Sequence, residues 1–392
     1  MRKKILVALL SAFGLVPLLS GCWGYKEFDH QLYPHAIAVD YKDGEYTAYI
    51  QVLDMSELGK TESGGGQARS GTWIGVARGR TLDEAAHKLY LVTPRSLNWG
   101  HVNAFVFTTH VLDEPDWLRV FGVFTRMNQF RYTPWVFFTK ETPQDLLSSQ
   151  PILEKSPVYS GLGDPWELYN QSSFLRPLRF NTLLAQLREP TRPHLLLELA
   201  IERGRWSQPQ DDQSHDTLTA EGYALLDRHL HYAGDMKLKE ASGLRWADPK
   251  MMRSSINLYQ NKKVLGSAVM DHTSFKVSEV RTARGIRYHI RVNVRGAVIE
   301  RYGTNTLAEL DKSAAAEIGR EIESTYLKGL EYHVDVFGLE DHLYRHHPDW
   351  YESLGHGDTT SLTPSSIASL EVKVKLTTGM RTLEGLKTEA QS

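Results

Sequence analysis

The chain has 392 residues, 45 Lys and Arg against 47 Asp and Glu, a formal charge of −2 and one cysteine, Cys22. A near-neutral, slightly acidic balance gives no footing for nucleic acid as a partner, and a single thiol excludes an internal disulfide or a cysteine-built metal centre. With 41% hydrophobic and 23% charged residues the composition is that of a globular protein, and its length exceeds the usual span of one core, so several domains held by packing alone are expected.

The chain opens with Arg2, Lys3 and Lys4 ahead of a mostly apolar run, Ile5 to Leu19. That run is short of the roughly 20 residues a spanning helix needs, and Pro17 breaks it. It closes with Leu19-Ser20-Gly21-Cys22, which matches the bacterial lipobox, Leu-[Ala/Ser]-[Gly/Ala]-Cys. Residues 1–21 therefore read as a lipoprotein signal peptide, and Cys22 as the lipidated first residue of the mature chain. At about 0.8 kcal/mol per buried methylene, two acyl chains make a stable anchor where one is marginal. Loss of the three leader cations makes the chain three units more negative. No second apolar segment near 18 residues and no repeat of solenoid period follow.

Ala36–Asp40 and Tyr46–Leu53 read as two strands, joined by the turn-forming Lys42-Asp43-Gly44. Residues 59–71 are rich in glycine and polar residues and read as a flexible loop. Thr81-Leu-Asp-Glu84 is a capping box that starts a helix to about Val92. Val102–Thr109 and Trp135–Thr139 suit buried strands, with helix expected between Asp116 and Asn128. These elements make an N-terminal α+β domain, residues 22–150.

A middle domain, residues 151–258, starts weakly in a stretch rich in Pro, Ser, Gly and Leu. It continues with an apolar strand, Leu195–Ile201, a polar linker over 204–217, and a second hairpin from Thr219–Leu226 and Arg228–Tyr232. The C-terminal α+β domain, residues 259–392, is the most legible. Ile286, Tyr288, Ile290, Val292 and Val294 alternate with Arg287, His289, Arg291 and Asn293, the period of a half-buried strand with one basic face. Thr306-Leu-Ala-Glu309 caps a helix of about 25 residues whose buried stripe is Leu307, Leu310, Ala314, Ile318, Ile322 and Tyr326. Val372, Val374 and Leu376 mark a closing strand. The expected class is α+β: multidomain, mostly antiparallel sheets, the last packed by one long helix.

Candidate chemistry is thin. Residues 66–72 have the glycine spacing of a phosphate loop without its lysine. His342 and His346, four apart, could share one helix face as metal ligands, but Pro348 ends the helix, no third ligand follows at a diagnostic spacing, and the expectation is a solvated helix end with no metal. Arg126, Phe130, Arg131, Tyr132 and Trp135 interleave cations with aromatics as single-strand nucleic-acid surfaces do, but in this setting core packing accounts for the rings. No Gly-x-Ser-x-Gly, His-Glu-x-x-His or Ser-x-x-Lys motif occurs, so neither a catalytic residue nor a cofactor site is assigned. The row Arg287, His289, Arg291 with Arg295 beyond is a candidate partner surface. Like charges two apart repel, so they are offset by carboxylates across the sheet, such as Glu371, or by an external acidic surface.

Several motifs resemble the Ger(x)C family of spore-germination lipoproteins. Gly21-Cys22-Trp23 with Glu27 is similar to the family's mature start, with Gly24 where Asp is usual. Gly79-Arg-Thr81-Leu-Asp-Glu84-Ala85 and Trp99-Gly100-His101 look like its next pair. Glu221-Gly222-Tyr223-Ala224, Glu240-Ala-Ser-Gly243-Leu244-Arg-Trp246, Asp335-Val-Phe-Gly338 and Pro348-Asp-Trp350 follow in order. The resemblance spans Cys22 to about Gly379. It implies the C subunit of a germinant receptor: a non-enzymatic lipoprotein of three mixed α/β domains, anchored in membrane lipid by acylated Cys22 on the outer face of the spore inner membrane. It also implies work with two integral membrane subunits in nutrient-triggered germination, and assigns no residue to germinant contact. The motif tryptophans Trp99, Trp246 and Trp350 read as core, and Gly100 and Gly338 as turn residues. The alternative, a solute-binding lipoprotein serving a transporter, calls for two lobes of repeated strand–helix alternation, whereas this chain clusters its strands in hairpins.

Overall fold

In a computed structural model of the chain, the described residues are 31–53, 72–126, 129–149, 151–152, 157–189, 191–207, 214–283, 285–354 and 359–378. Cys22 and the 59–71 loop lie outside them.

After a short β1 (Gln31–Leu32), β2 (Pro34–Lys42) and β3 (Glu45–Leu53) form the expected hairpin. Asp43 and Gly44 both take positive φ at its turn, 55° and 81°, the geometry that suits the right-handed twist of paired strands. β4 (Thr72–Gly79) pairs with β3, and α1 (Leu82–Val92) follows. Thr81 Oγ1 accepts from the Glu84 amide at 3.1 Å, while Glu84 reaches back to the Arg80 amide at 2.9 Å, one residue beyond the expected partner. β5 (Ser96–Leu97) pairs with β1; then come β6 (Ala104–Thr108), α2 (Thr109–Leu112), α3 (Arg119–Arg126) and β7 (Trp135–Thr139). β6 and β7 are wholly buried apolar runs, as parallel strands covered on both faces must be.

The weak stretch carries α4 (Pro143–Ser148), α5 (Pro165–Ser172), β8 (Leu178–Arg179) and α6 (Phe180–Gln186). β9 (His194–Ser207) and β10 (Ser214–Leu226) then make a long hairpin, completed by β11 (Tyr232–Lys237). Two expectations change here. The two ends of the polar stretch 204–217 are strand, with Ser214 paired to Ser207 and His215 to Trp206; residues 208–213 lie outside the described residues. Gly204, Arg205, Trp206 and Ser207 are exposed, so neither face there needs apolar residues and no period-two pattern marks them. The last strand starts at Tyr232, and Arg228 lies in the turn before it. The sheet order is β11-β10-β9-β7-β6-β2-β3-β4, with β8 on β7. β7 pairs in parallel with β9 through Phe137 and Leu197, so the boundary expected near residue 150 does not interrupt this sheet.

The second sheet is β12 (Ser254–Gln260), β13 (Lys263–Thr282), β14 (Gly285–Arg301) and β15 (Ile367–Thr378), in that order. The boundary expected at 258 falls inside β12. The first three strands run antiparallel and β15 parallel to β14. α7 (Leu244–Ala247) precedes the sheet; α8 (Leu307–Glu331), α9 (Leu339–His346) and α10 (Pro348–Glu352) lie between its last two strands. α8 covers one face with the expected stripe: Leu310, Ala314, Ile318 and Ile322 are fully buried against Tyr288, Ile290, Val292 and Val294 in one apolar cluster. Its capping box closes at both ends, Glu309 amide to Thr306 Oγ1 at 3.3 Å and Thr306 amide to Glu309 Oε2 at 2.7 Å. The class is α+β, mixed and multidomain.

The two sheets meet at a polar and apolar seam. Val334 and Val336, between α8 and α9, pack with Leu197, Leu199, Tyr223 and Leu225 of the first sheet. Gly243 approaches α8 so closely that a Cβ there would stand 2.6 Å from the Glu321 carbonyl oxygen, which no larger residue tolerates. Trp99 and Trp246 are core residues, and Trp350 packs half-buried on the second core.

Candidate functional site

The strand register assembles the surface opposite α8. Because side chains alternate along a strand, burial of Tyr288, Ile290, Val292 and Val294 turns Arg287, His289, Arg291, Asn293 and Arg295 to the other face. Directly paired residues share that face: Lys276 stands against Arg291 and His272 against Arg295 on β13. On β15, Ser369 stands against His289, Glu371 against Arg291, Lys373 against Asn293 and Lys375 against Arg295. The paired positions thus carry Lys276, Arg287, Arg291, Arg295, Lys373 and Lys375 against one carboxylate, Glu371.

Each basic residue is treated differently. Arg287 donates to the carbonyl oxygens of Ser365 at 2.9 Å and Ile367 at 3.4 Å, which orients but does not neutralise it. His289 Nδ1 is 2.7 Å from Ser369 Oγ. Arg291 Nε donates to Glu371 at 2.9 Å, and Lys373 shares the same carboxylate at 2.8 Å. Hydrogen bonding to Lys373, then to Arg291, holds the Glu371 carboxyl below its ordinary range. Arg295 has no hydrogen-bond or ion-pair partner among the described residues. Intramolecular pairing therefore accounts for Arg291, while Arg287 and Arg295 meet no carboxylate among the described residues and present their charge to solvent or another molecule.

Elsewhere, His342 and His346 lie on α9 with their rings stacked at 4.0 Å, and Glu279 of β13 contacts His342. Phe130 packs against Trp99, Phe105 and Phe124, and Trp135 is buried, so these two rings serve the core; Tyr132 differs, being 48% exposed while its ring stacks on Phe180 at 6.0 Å. A cleft of about 820 Å³ that sequence reading did not find is lined by Trp135, Trp166, Arg176, Arg179, Arg192 and Lys250, among others. Its cations are already engaged: the Arg179 guanidinium lies 3.8 Å from the Trp135 ring centre, and Arg176 is 3.2 Å from Asp248. These residues come from distant segments with no shared motif, so no linear signal could have gathered them. Among the described residues, no helix is long and apolar enough to cross a membrane.

Comparison with known proteins follows the same order along the chain. The model for the spore germination protein N-terminal domain matches residues 24–198, and that for the spore germination B3/GerAC-like C-terminal domain matches 221–381. Spore germination protein KC of Bacillus subtilis (strain 168) is 23% identical over 372 residues, 90% of each chain. The putative spore germination protein YfkR of the same organism is 30% identical over 160 residues, 40% of this chain and 41% of its own. The crystal structure of the GerBC protein superposes with a TM-score of 0.54 at 15% identity, covering 87% of this chain and 96% of the other. The two domain matches together span most of the sequence, and the chain belongs to the GerAC-like, or Ger(x)C, family of spore germination proteins.

Proposed function

We propose that this chain is the membrane-anchored, non-catalytic C subunit of a spore germinant receptor, tethered by acylated Cys22 and required for nutrient-triggered germination. The observation that carries this reading is the position of the family match, which begins at residue 24, directly behind the lipobox. The first described strand opens at Gln31. An acyl anchor at Cys22 confines the domains to the membrane plane and raises their effective concentration near other subunits there. On this reading the basic outer face of the second sheet, with Arg287, His289, Arg291 and Arg295, docks an acidic surface of one of two integral membrane subunits at the spore inner membrane.

Metabolic labelling with a fatty acid tests the anchor. The chain takes up label and the Cys22→Ala variant does not; spores carrying the variant lose most of their response through this receptor. Full germination with an unlabelled chain would refute the reading.

A further inference from the structure

We propose that Glu279, His342 and His346 form a binding site for a late first-row divalent cation, zinc above all, which fastens α9 to the β13–β14 hairpin. α9 is a two-turn helix, and residues four apart on it share a face. That spacing places the His342 and His346 rings in a parallel stack, centres 4.0 Å apart. β13 supplies the third group. Glu279 stands opposite Tyr288 in the ladder, on the buried side of the hairpin, and its side chain is only 4% exposed. Its Oε1 contacts His342 Nδ1. One ligand atom from each residue falls within 4.8 Å of the other two.

The donor set selects the ion. Two imidazole nitrogens and one carboxylate oxygen suit zinc and its neighbours, whereas calcium and magnesium want oxygen throughout. Bonds of about 2.0–2.1 Å around a tetrahedral ion bring ligand atoms to about 3.3 Å from one another, so the three side chains draw closer together as the ion binds. The outer shell is in place for His346, whose Nδ1 lies 2.8 Å from the His342 carbonyl oxygen. A proton on Nδ1 donated there leaves the Nε2 lone pair for the metal, the arrangement by which ligating histidines are commonly oriented. Three protein ligands leave a fourth position for water or a donor from another molecule. His342 is half-buried and His346 exposed, which gives the ion a way in.

The site has structural reach because α9, which packs on the second sheet, also bonds the segment ahead of β9. Asp341 accepts from Thr191 Oγ1 at 3.1 Å, and Arg345 donates to Glu189 at 2.9 Å, both ahead of β9 in the first half of the molecule. An ion on the other side of the same helix ties that junction to the far end of the longest hairpin in the second sheet.

Zinc titrated into the full-length, untagged chain in detergent, in competition with a chromophoric chelator, tests the site. One equivalent binds in the micromolar range or tighter. His346→Ala and Glu279→Gln each weaken it by more than about 10-fold, since even outer-shell partners of a metal are worth that much. His347→Ala is the control: its ring stacks on Trp350 at 4.3 Å instead of joining the cluster, and its loss leaves affinity unchanged. His346 is exposed, so its variant reads binding without a folding defect. Binding weaker than about 10 µM, undiminished binding in His346→Ala, or an equal loss in His347→Ala overturns the proposal.

Discussion

Arg245 and Glu321 form a charge pair at the centre of the seam between α7 and α8, with Arg245 Nη2 2.7 Å and 2.8 Å from the two carboxylate oxygens. The Arg245 side chain is 2% exposed. Its other terminal nitrogen donates to Ser254 Oγ at 2.9 Å and the Ser255 carbonyl at 3.1 Å. The guanidinium lies against Phe174 and Trp246, 4.0 Å and 4.5 Å from their ring centres. Trp246 Nε1 donates to Glu321 at 2.6 Å. One carboxylate therefore binds both Arg245 and Trp246 of the motif that ends Leu244-Arg-Trp246, while Arg245 Nε is buried without a hydrogen-bond partner among the described residues.

Removing that carboxylate alone is the costly change. Glu321→Ala strands a buried cation and an indole N–H, and a loss of about 3–5 kcal/mol is expected. Replacing both partners by apolar residues, Arg245→Met with Glu321→Leu, leaves no stranded charge and recovers much of that loss. Denaturant unfolding of the three chains measures both effects. A double variant no more stable than Glu321→Ala would show that the pair contributes more than mutual neutralisation.

Asp335 makes stability depend on pH. Burial, reinforced by the charge of Glu340, raises its carboxyl to about 7, although its Oδ2 accepts from the Glu340 amide at 2.7 Å. In the unfolded chain the group returns to about 4. Between those values the folded state holds a proton that the unfolded state has lost, so this group's contribution is complete below about pH 4 and disappears as pH rises through 7. His194 slopes the other way: burial, then the charge of Arg192, lowers it to about 4, so its contribution is present above about 6.5 and is lost as pH falls. Asp335→Asn isolates the first effect. The difference in unfolding free energy between variant and wild type should grow in the variant's favour by a few kcal/mol between pH 4 and 7. A flat difference would contradict a neutral folded Asp335.

Charge reversal on the outer face separates stability from assembly. Arg291 and Glu371 are 62% and 44% exposed, and exposed pairs are worth about 1 kcal/mol or less. Arg287→Glu with Arg291→Glu should therefore shift unfolding by little in the isolated chain, while co-purification with the membrane subunits and germination both fail. Retained assembly with loss of binding to anionic vesicles would assign the face to lipid headgroups. Unchanged assembly, vesicle binding and germination would remove the face from the function.

Gly338 starts α9 at φ +67°, a left-handed conformation. A Cβ there would meet nothing nearer than Pro193 Cδ at 3.5 Å, so the cost is in the backbone rather than in a clash. Gly338→Ala should cost about 1–2 kcal/mol, and Gly338→Asn less, because Asn tolerates this region better. Thermal unfolding of the two variants ranks them.

Where sequence reading succeeded, one local rule acted alone. The Thr306 capping box and the apolar stripe below it fixed α8, and strict alternation from Ile286 fixed the register face of β14. β13 was missed: Glu279 and Arg281 interrupt the inward-facing series that Phe275 and Val277 begin, with Glu279 set opposite buried Tyr288, so no clean apolar alternation marks the strand. The parallel pairing of β7 with β9 was invisible because buried parallel strands show no alternation. Glu279 lies 63 residues from His342, a separation no spacing rule covers. The Arg291–Glu371 pairing was anticipated because both strands alternate, so matching their polar faces needed only that they be neighbours.

Among the described residues β15 ends the strand order of the second sheet, and a strand with an open edge is a template on which another chain can add. Lys373 and Lys375 place two ammonium groups along that edge, and Asp311 of α8 accepts the Leu376 amide at 2.8 Å, closing one of the donors an incoming strand would use. Charge repulsion and a blocked donor are the means by which exposed sheet edges avoid pairing with one another. The last strand thus carries two features that disfavour ribbon-like addition of a neighbouring copy.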